Sequence, residues 1–382
     1  NMSEIFRSNW ILIFATLLGM VFVSEWAVRL LAPQTIMSAI ISYKAGGQNQ
    51  GIPYGRTVIT QLNSKNFEIR LNSDGFRMHQ ELYKSSERSR ILVYGGSALF
   101  AAHLPIEKSI FGQLNAMVER GSHKFQLVNT AVVGHGLRQT RLLMKQQIQK
   151  YRPAALIYIL DASHISQSLV TGDHSEMSRL RYDQNGRPQL ATDRDPGEPK
   201  FTNVVEIATN WLSSKSHLIA LITKLFRQAL NLVKQSFADQ IVEIQIAKLP
   251  LLAQDNPRVQ EFLYLSELSF HKMAKIAKSA EIPLLVLWLP ARVELLAINK
   301  GSPVTHILAS HRQMLQTLAK NSENFEFWDT VEQMDKNISR DLFFQSEGLK
   351  SNALSVAGSH WFAKRSAPII RKFLFAALGK HM

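Results

Sequence analysis

"RILVYGGSALFAAH", Arg90 to His103, decides the fold. The apolar residues Ile91 to Tyr94 run straight into Gly95-Gly96 and then Ser97. A short continuous apolar run closed by glycines reads as a strand covered on both faces. The serine after it stands where a sheet ends, with its hydroxyl presented to whatever binds there. Whether Ser97 is a working nucleophile or the remnant of one is the question the other residues must answer.

Outward from that strand the pattern repeats. "EKSIFGQLNAMVER" has apolar residues at helical spacing, "FQLVNTAV" is a strand, "LRQTRLLMKQQIQKY" a helix and "AALIYIL" a strand. Further on, "IPLLVLWLP" and "FEFWDT" are strands, with helices expected at Val259–Ala280 and His306–Ala319. Apolar strands alternating with amphipathic helices mean an α/β domain with a parallel sheet and helices on both faces. Sites in such sheets lie at the carboxyl ends of the strands. Gly95-Gly96-Ser97, Asn129, Gly134 and Asp161-Ala162-Ser163 all fall there.

The rhythm breaks between Asp173 and Pro250. "YDQNGRPQLATDRDPGEPK" reads as a long loop with a small hairpin around Asn185-Gly186, and "SHLIALITKLFRQALNLVKQSFA" as a helix with an apolar stripe. Every charge from Lys215 to Phe237 is basic, so this helix lies on an anionic membrane or packs on its own domain or a partner. Upstream, "YKAGGQNQGIPYG" reads as a linker, and "FEIRLNSDGFRM" alternates and turns at Ser73-Asp74-Gly75 in hairpin fashion. The chain therefore divides into an N-terminal anchor at 1–33, a linker with a lead-in hairpin at 34–89, and an α/β domain at 90–382 with an insertion at about 173–250.

The anchor is "NWILIFATLLGMVFVSEWAVRLLA", Asn9 to Ala32. Trp10 to Val23 carries no charge, Glu25 and Arg29 are spaced to pair on a helix, and Trp10 and Trp26 stand near the ends. About 20 such residues cross a hydrocarbon core. A single basic residue ahead of the run and the lack of a small-x-small site after it argue against a cleaved signal.

The 382 residues hold 44 basic and 30 acidic side chains, a formal charge of +14, and no cysteine. The basic residues are scattered and not interleaved with aromatics, which argues against a nucleic-acid partner and fits a membrane surface. The lack of cysteine excludes a disulfide framework and thiolate-bound zinc. No pattern calls for a metal or cofactor, and a lone Gly-Gly-Ser turn is no phosphate loop.

"SEWAVRLL", "LNSDGFR", "ILVYGGSALFAAHLPIEKSIFGQLNAMV", "LVNTAVVGHGLRQT", "YRPAALIYILDASHI" and "LFFQSEGLKSNALSVAGSHWFA", in this order and spacing, resemble a membrane-anchored SGNH/GDSL hydrolase-like protein. The resemblance runs from roughly Asn72 to Ala363, the insertion excepted. It implies a three-layer, flavodoxin-like sheet, with one transmembrane helix inserted in a bacterial inner membrane and the domain in the periplasm. It further implies membrane-protein partners and a polysaccharide or acyl ligand. Family members attack an ester with a serine, hold the oxyanion with a glycine and an asparagine, and use a histidine three residues after an aspartate as base.

Carried over by position, Ser97 takes the nucleophile's place and Gly134 the oxyanion glycine's. Gly96 stands where the commonest motif has aspartate. Ser163 replaces the asparagine, with His164 after it. In the last block Glu347 and Lys350 fall on the aspartate and histidine; sliding the alignment onto Gly358 puts Lys350 and Ala353 there instead. Neither register supplies a histidine. Lys350 is a candidate base only if burial depresses its pKa, His360 belongs to the terminal helix, and His164 is the candidate for a displaced base. Two readings follow. One is a catalytically inactive accessory protein, scaffold or subunit of a membrane or cell-envelope complex. The other is an active O-acyl esterase or acyltransferase acting through Ser97.

Overall fold

The computed structural model describes residues 2–31, 34, 36, 39–42, 50–59, 66–83, 88–119, 124–161, 180–182, 188–190, 212, 216–223, 225, 257–291, 294, 306–333, 342–346 and 349–379. Helix α1, Met2–Leu31, opens the chain. Its stretch Leu12–Leu31 has a mean hydropathy of 1.6 and none of it is buried, so it is long and apolar enough to cross a membrane.

Short strands β1 (Ile41–Ser42) and β2 (Gln50–Gly51) pair antiparallel. Strand β3 (Arg56–Ile59) pairs antiparallel with β4 (Phe67–Arg70). The lead-in hairpin therefore differs from the expectation. "FEIR" pairs with upstream "RTVI", whose alternating exposure is that of a half-buried strand, and not across the Ser73–Gly75 turn. That turn is held instead by Asn72, whose Oδ1 accepts from the Asp74 and Phe76 N–H groups at 3.1 and 2.9 Å. Gly75 has φ +80°, and a Cβ there would stand 2.3 Å from the Gly51 carbonyl oxygen. Gly75→Ala is expected to destabilise the chain by about 1–3 kcal/mol, read as a lower urea midpoint.

The core is a parallel sheet. Strand β5 is Ser89–Gly95, followed by the one-turn helix α2 (Ser97–Phe100) and by α3 (Ile110–Val118), which Ser109 caps by accepting from the Gly112 N–H. Then come β6 (Phe125–Asn129), α4 (Leu137–Tyr151) and β7 (Ala155–Asp161). Strands β8 (Leu180–Tyr182) and β9 (Pro188–Leu190) form a small antiparallel pair flanking Asn185-Gly186, which lie outside the described residues. Helix α5 (Pro257–Ser279), β10 (Leu284–Leu289), α6 (His306–Lys320) and β11 (Phe325–Asp329) complete the alternation. Strands β12 (Phe343–Ser346) and β13 (Leu349–Leu354) form a terminal hairpin before α7 (Val356–Gly379).

The order across the five-stranded sheet is β11-β10-β7-β5-β6, all parallel. Numbered from β5, that is the doubly wound order 2-1-3-4-5. Helices α3 and α7 pack together on one face, and α5 packs with α4 and α6 on the other. Right-handed crossovers require this split, because the chain leaves β5 in one direction and returns past it to β7 in the other. Every residue of β6, β7 and β10 is buried, which is why they read as unbroken apolar runs. Chain direction reverses between β5 and β7, and the crevice at their carboxyl ends is the expected site of such a sheet.

Candidate functional site

Ser97 begins α2 directly after β5, at that crevice, and is half-buried. Gly95 makes the tight exit possible. A Cβ there would sit 2.7 Å from that of Leu99, so any side chain would push α2 off the strand end. The turn of α2 closes with Ala101 in the left-handed region, φ 50°, its N–H donating to the Ser97 carbonyl. Among the described residues, no imidazole, amine or carboxylate is hydrogen-bonded to the Ser97 hydroxyl.

Gly134 lies in the turn between β6 and α4 with φ +83°. Asn129, at the end of β6, is buried; its Nδ2 donates to the Arg77 carbonyl at 3.1 Å and its Oδ1 accepts from the Ala131 N–H at 3.2 Å. The next residue, Thr130, donates through its hydroxyl to the Val93 carbonyl at 3.0 Å. Arg138 and Arg141, in the first turns of α4, are also buried, so two guanidinium groups face inward near this end of the sheet. The Tyr158 hydroxyl of β7 bonds to Thr140, and burial pushes its pKa well up.

Ser163, His164 and Glu347 lie outside the described residues. Lys350 lies in β13, its backbone registered opposite Gln345 of β12. The last block thus folds as a hairpin, and β13 packs near α2. Gly358 is the glycine that the shifted alignment used. It admits the Leu342 carbonyl oxygen, which would stand 2.0 Å from any Cβ at that position. Ser355 caps α7, its Oγ accepting from the Gly358 N–H at 3.1 Å. His360 is exposed on α7, its Nδ1 3.2 Å from Gln113 Oε1.

Two residues that sequence reasoning missed shape the Ser97 loop. Arg77, from "LNSDGFR", is 2% exposed and donates to the carbonyls of Phe100, Ala101 and Leu104, the last two at 2.7 and 2.6 Å. Burial lowers its pKa to about 10, opposed by the Glu107 charge, so it stays cationic at neutral pH. His103 donates from Nε2 to the Leu354 carbonyl at 2.8 Å, tying the loop after α2 to the end of β13. Burial lowers its pKa, with the Arg77 charge adding to the effect, and the neutral ring with its proton on Nε2 suits that bond.

Two clefts lie nearby, and Ser97 lines neither. One, of about 140 Å³, runs between the Asp74–Phe76 turn, the end of β6 and α4. Asp74 there accepts from Lys150 at 3.2 Å and from the Tyr151 hydroxyl at 2.9 Å. The other, of about 200 Å³, lies between Met78–Gln80 and α3, with the His79–Glu107 pair, 2.6 Å apart, among its lining residues. Among the described residues no cluster of His, Asp and Glu could hold a metal ion.

No protein-family model matches the chain, and no curated protein matches it. Solved structures similar to it at a distance include TesA, 10% identical over 74% of this chain and 99% of that one, with a TM-score of 0.39. A GDSL-like lipase from Bacteroides thetaiotaomicron is 9% identical over 76% of this chain and 89% of that one, with a TM-score of 0.37. The psychrotrophic esterase EstA from Pseudoalteromonas sp. is 11% identical over 76% and 97%, with a TM-score of 0.33. At scores and identities this low the likenesses carry no argument about the chemistry of this chain.

Proposed function

We propose that this chain is a membrane-anchored SGNH hydrolase-like protein whose catalytic set has lapsed, and that it serves as an accessory or scaffold subunit of a cell-envelope assembly. One observation carries the reading: where the resemblance puts an aspartate and its histidine, the chain has Glu347 and Lys350. A serine hydroxyl is a weak nucleophile until a base takes its proton. The third block has Ser163 in place of the asparagine, a donor of shorter reach toward the oxyanion. The surroundings of Ser97 support the same reading, since the buried Arg77 guanidinium donates to backbone carbonyls of the loop after it. The anchor is α1, in a bacterial inner membrane with the domain on the periplasmic side, and the partners are other subunits of that membrane.

The second reading is an O-acyl esterase or acyltransferase on an envelope glycan, with Ser97 as nucleophile and His164 or Lys350 as base. It is favoured by the place of Ser97 at the reversal point of the sheet and by the positive φ of Gly134. The purified chain is tested with short-chain aryl esters and a fluorophosphonate probe, wild type beside Ser97→Ala. The accessory reading expects equal background turnover from both and no label on Ser97. Serine-dependent turnover or labelling establishes the second reading instead.

A further inference from the structure

We propose that the helix at 217–223 is a second membrane element: it lies in the headgroup region of the bilayer that α1 crosses, fastened to α1 by Glu25, with Ile222 and Leu225 turned to the acyl chains. The inference rests on the reading of α1 as a membrane span.

Glu25 is the starting point, a carboxylate on a helix otherwise fit for hydrocarbon. It accepts hydrogen bonds from the Ser216 hydroxyl at 2.6 Å, the His217 N–H at 3.0 Å and the Leu218 N–H at 2.8 Å. Arg29, one turn further along α1, adds a bond from Nε at 2.5 Å. The first N–H groups of a helix have no partner within it, and that end carries partial positive charge. A carboxylate on α1 and the open end of a second helix thus satisfy each other, which matters most where water is scarce. Ser216 completes the junction by accepting from the Ile219 N–H at 3.1 Å. A second tie follows α1, where the Gln34 N–H donates to His217 Nδ1 at 2.9 Å. The start of the helix is therefore held at two points of the membrane-proximal chain, from more than 180 residues away.

Leu218 and Leu221 of the apolar stripe are partly buried, whereas its outer part is exposed. Ile222 and Leu225 are 55% and 53% exposed, and on α1 Trp26, Leu30 and Leu31 near the same junction are exposed too. The two exposed apolar surfaces share the junction at Glu25. The charges fit the same occupant: Lys215, Lys224, Arg227 and Lys234 are the only charged residues between 215 and 237. An apolar stripe with an all-basic complement is what binds an anionic headgroup layer.

The chain has no cysteine, so a single introduced thiol reports on one place. The full chain would be reconstituted in phosphatidylethanolamine–phosphatidylglycerol vesicles, with a polarity-sensitive fluorophore on Ile222→Cys and doxyl-labelled lipids as quenchers. Val21→Cys within α1 and Val58→Cys on the exposed side of β3 are the references. The label at 222 is expected to emit to the blue of that at 58 and to be quenched about twofold more or better, as a face seated at the acyl boundary requires. Glu25→Ala in the same labelled chain should return the signal to the level at 58. If 222 is quenched no more than 58 while 21 is quenched, the inference fails and the span stands. If 21 is not quenched either, the span reading itself fails, and this inference with it. Shielding of 222 only in native membranes, never in pure lipid, would assign the face to a protein and overturn the proposal. A signal at 222 that ignores Glu25→Ala would overturn the fastening role given to that carboxylate.

Discussion

Arg77→Leu is expected to lower the unfolding midpoint of the chain by about 5 °C or more, and Arg77→Lys to recover little of that loss. The guanidinium is buried and reaches three carbonyls on and just after the α2 turn, at Phe100, Ala101 and Leu104. A leucine leaves the Phe100 and Leu104 carbonyls without that donor in a buried place and the Ala101 carbonyl with only the Leu104 N–H, a loss on the order of 3 kcal/mol. Its charged centre also lies 5.3 Å from the centroid of the Phe100 ring, an attraction that leucine forfeits. Lysine keeps the charge but not the planar fork, and one ammonium cannot reproduce the span from Phe100 to Leu104. Melting followed by tryptophan fluorescence in detergent gives the midpoint. Limited proteolysis should find new cleavage between Ala101 and Pro105. An unchanged midpoint in Arg77→Leu would mean that the loop stands without its brace.

That brace also shows what could be read from the residues alone. The strands "ILVY", "LIYIL" and "LLVLWL" were legible because strands covered on both faces need no polar side, and the helices between them because one stripe must face the sheet. Strand β3 was not, since "RTVI" belongs to a two-stranded ribbon that buries alternate residues and offers no apolar run. The β12–β13 hairpin was hidden for a different reason: its residues were read as a motif, and a motif alignment says nothing of strand pairing. At the site, Ser97 and Gly134 could be placed because glycines and strand ends mark them. Arg77 and His103 could not. Their partners are backbone carbonyls, 27 residues away for Arg77 to Leu104 and 251 for His103 to Leu354, and backbone atoms leave no trace in residue identity.

A second buried charge cluster ties the far side of the sheet together, and its removal should depend on pH. Glu294, 0% exposed, accepts from the Trp288 indole at 3.1 Å and the Ala291 N–H at 2.8 Å. Arg312 of α6 stands 3.5 Å from Glu294 and 3.5 Å from Asp329 at the end of β11, close enough for ion pairing without a formal hydrogen bond. Burial raises the pKa of both carboxyls above the ordinary 4.5 and 3.8, and the nearby Arg312 charge opposes the rise. The folded chain therefore binds protons that the unfolded chain releases. The stability linked to that uptake is complete below the ordinary carboxylate values and is lost as pH climbs through the raised folded ones. Arg312→Leu takes away the positive charge that stands beside both acids. It should cost about 3 kcal/mol near pH 7, where both carboxylates would be left buried and unpaired. Near pH 4 the deficit should shrink, because the acids can take up protons instead. Urea unfolding of wild type and Arg312→Leu at both conditions measures the difference. A deficit of equal size at the two would mean that Arg312 acts by packing its stem, and that its charge is already balanced by solvent.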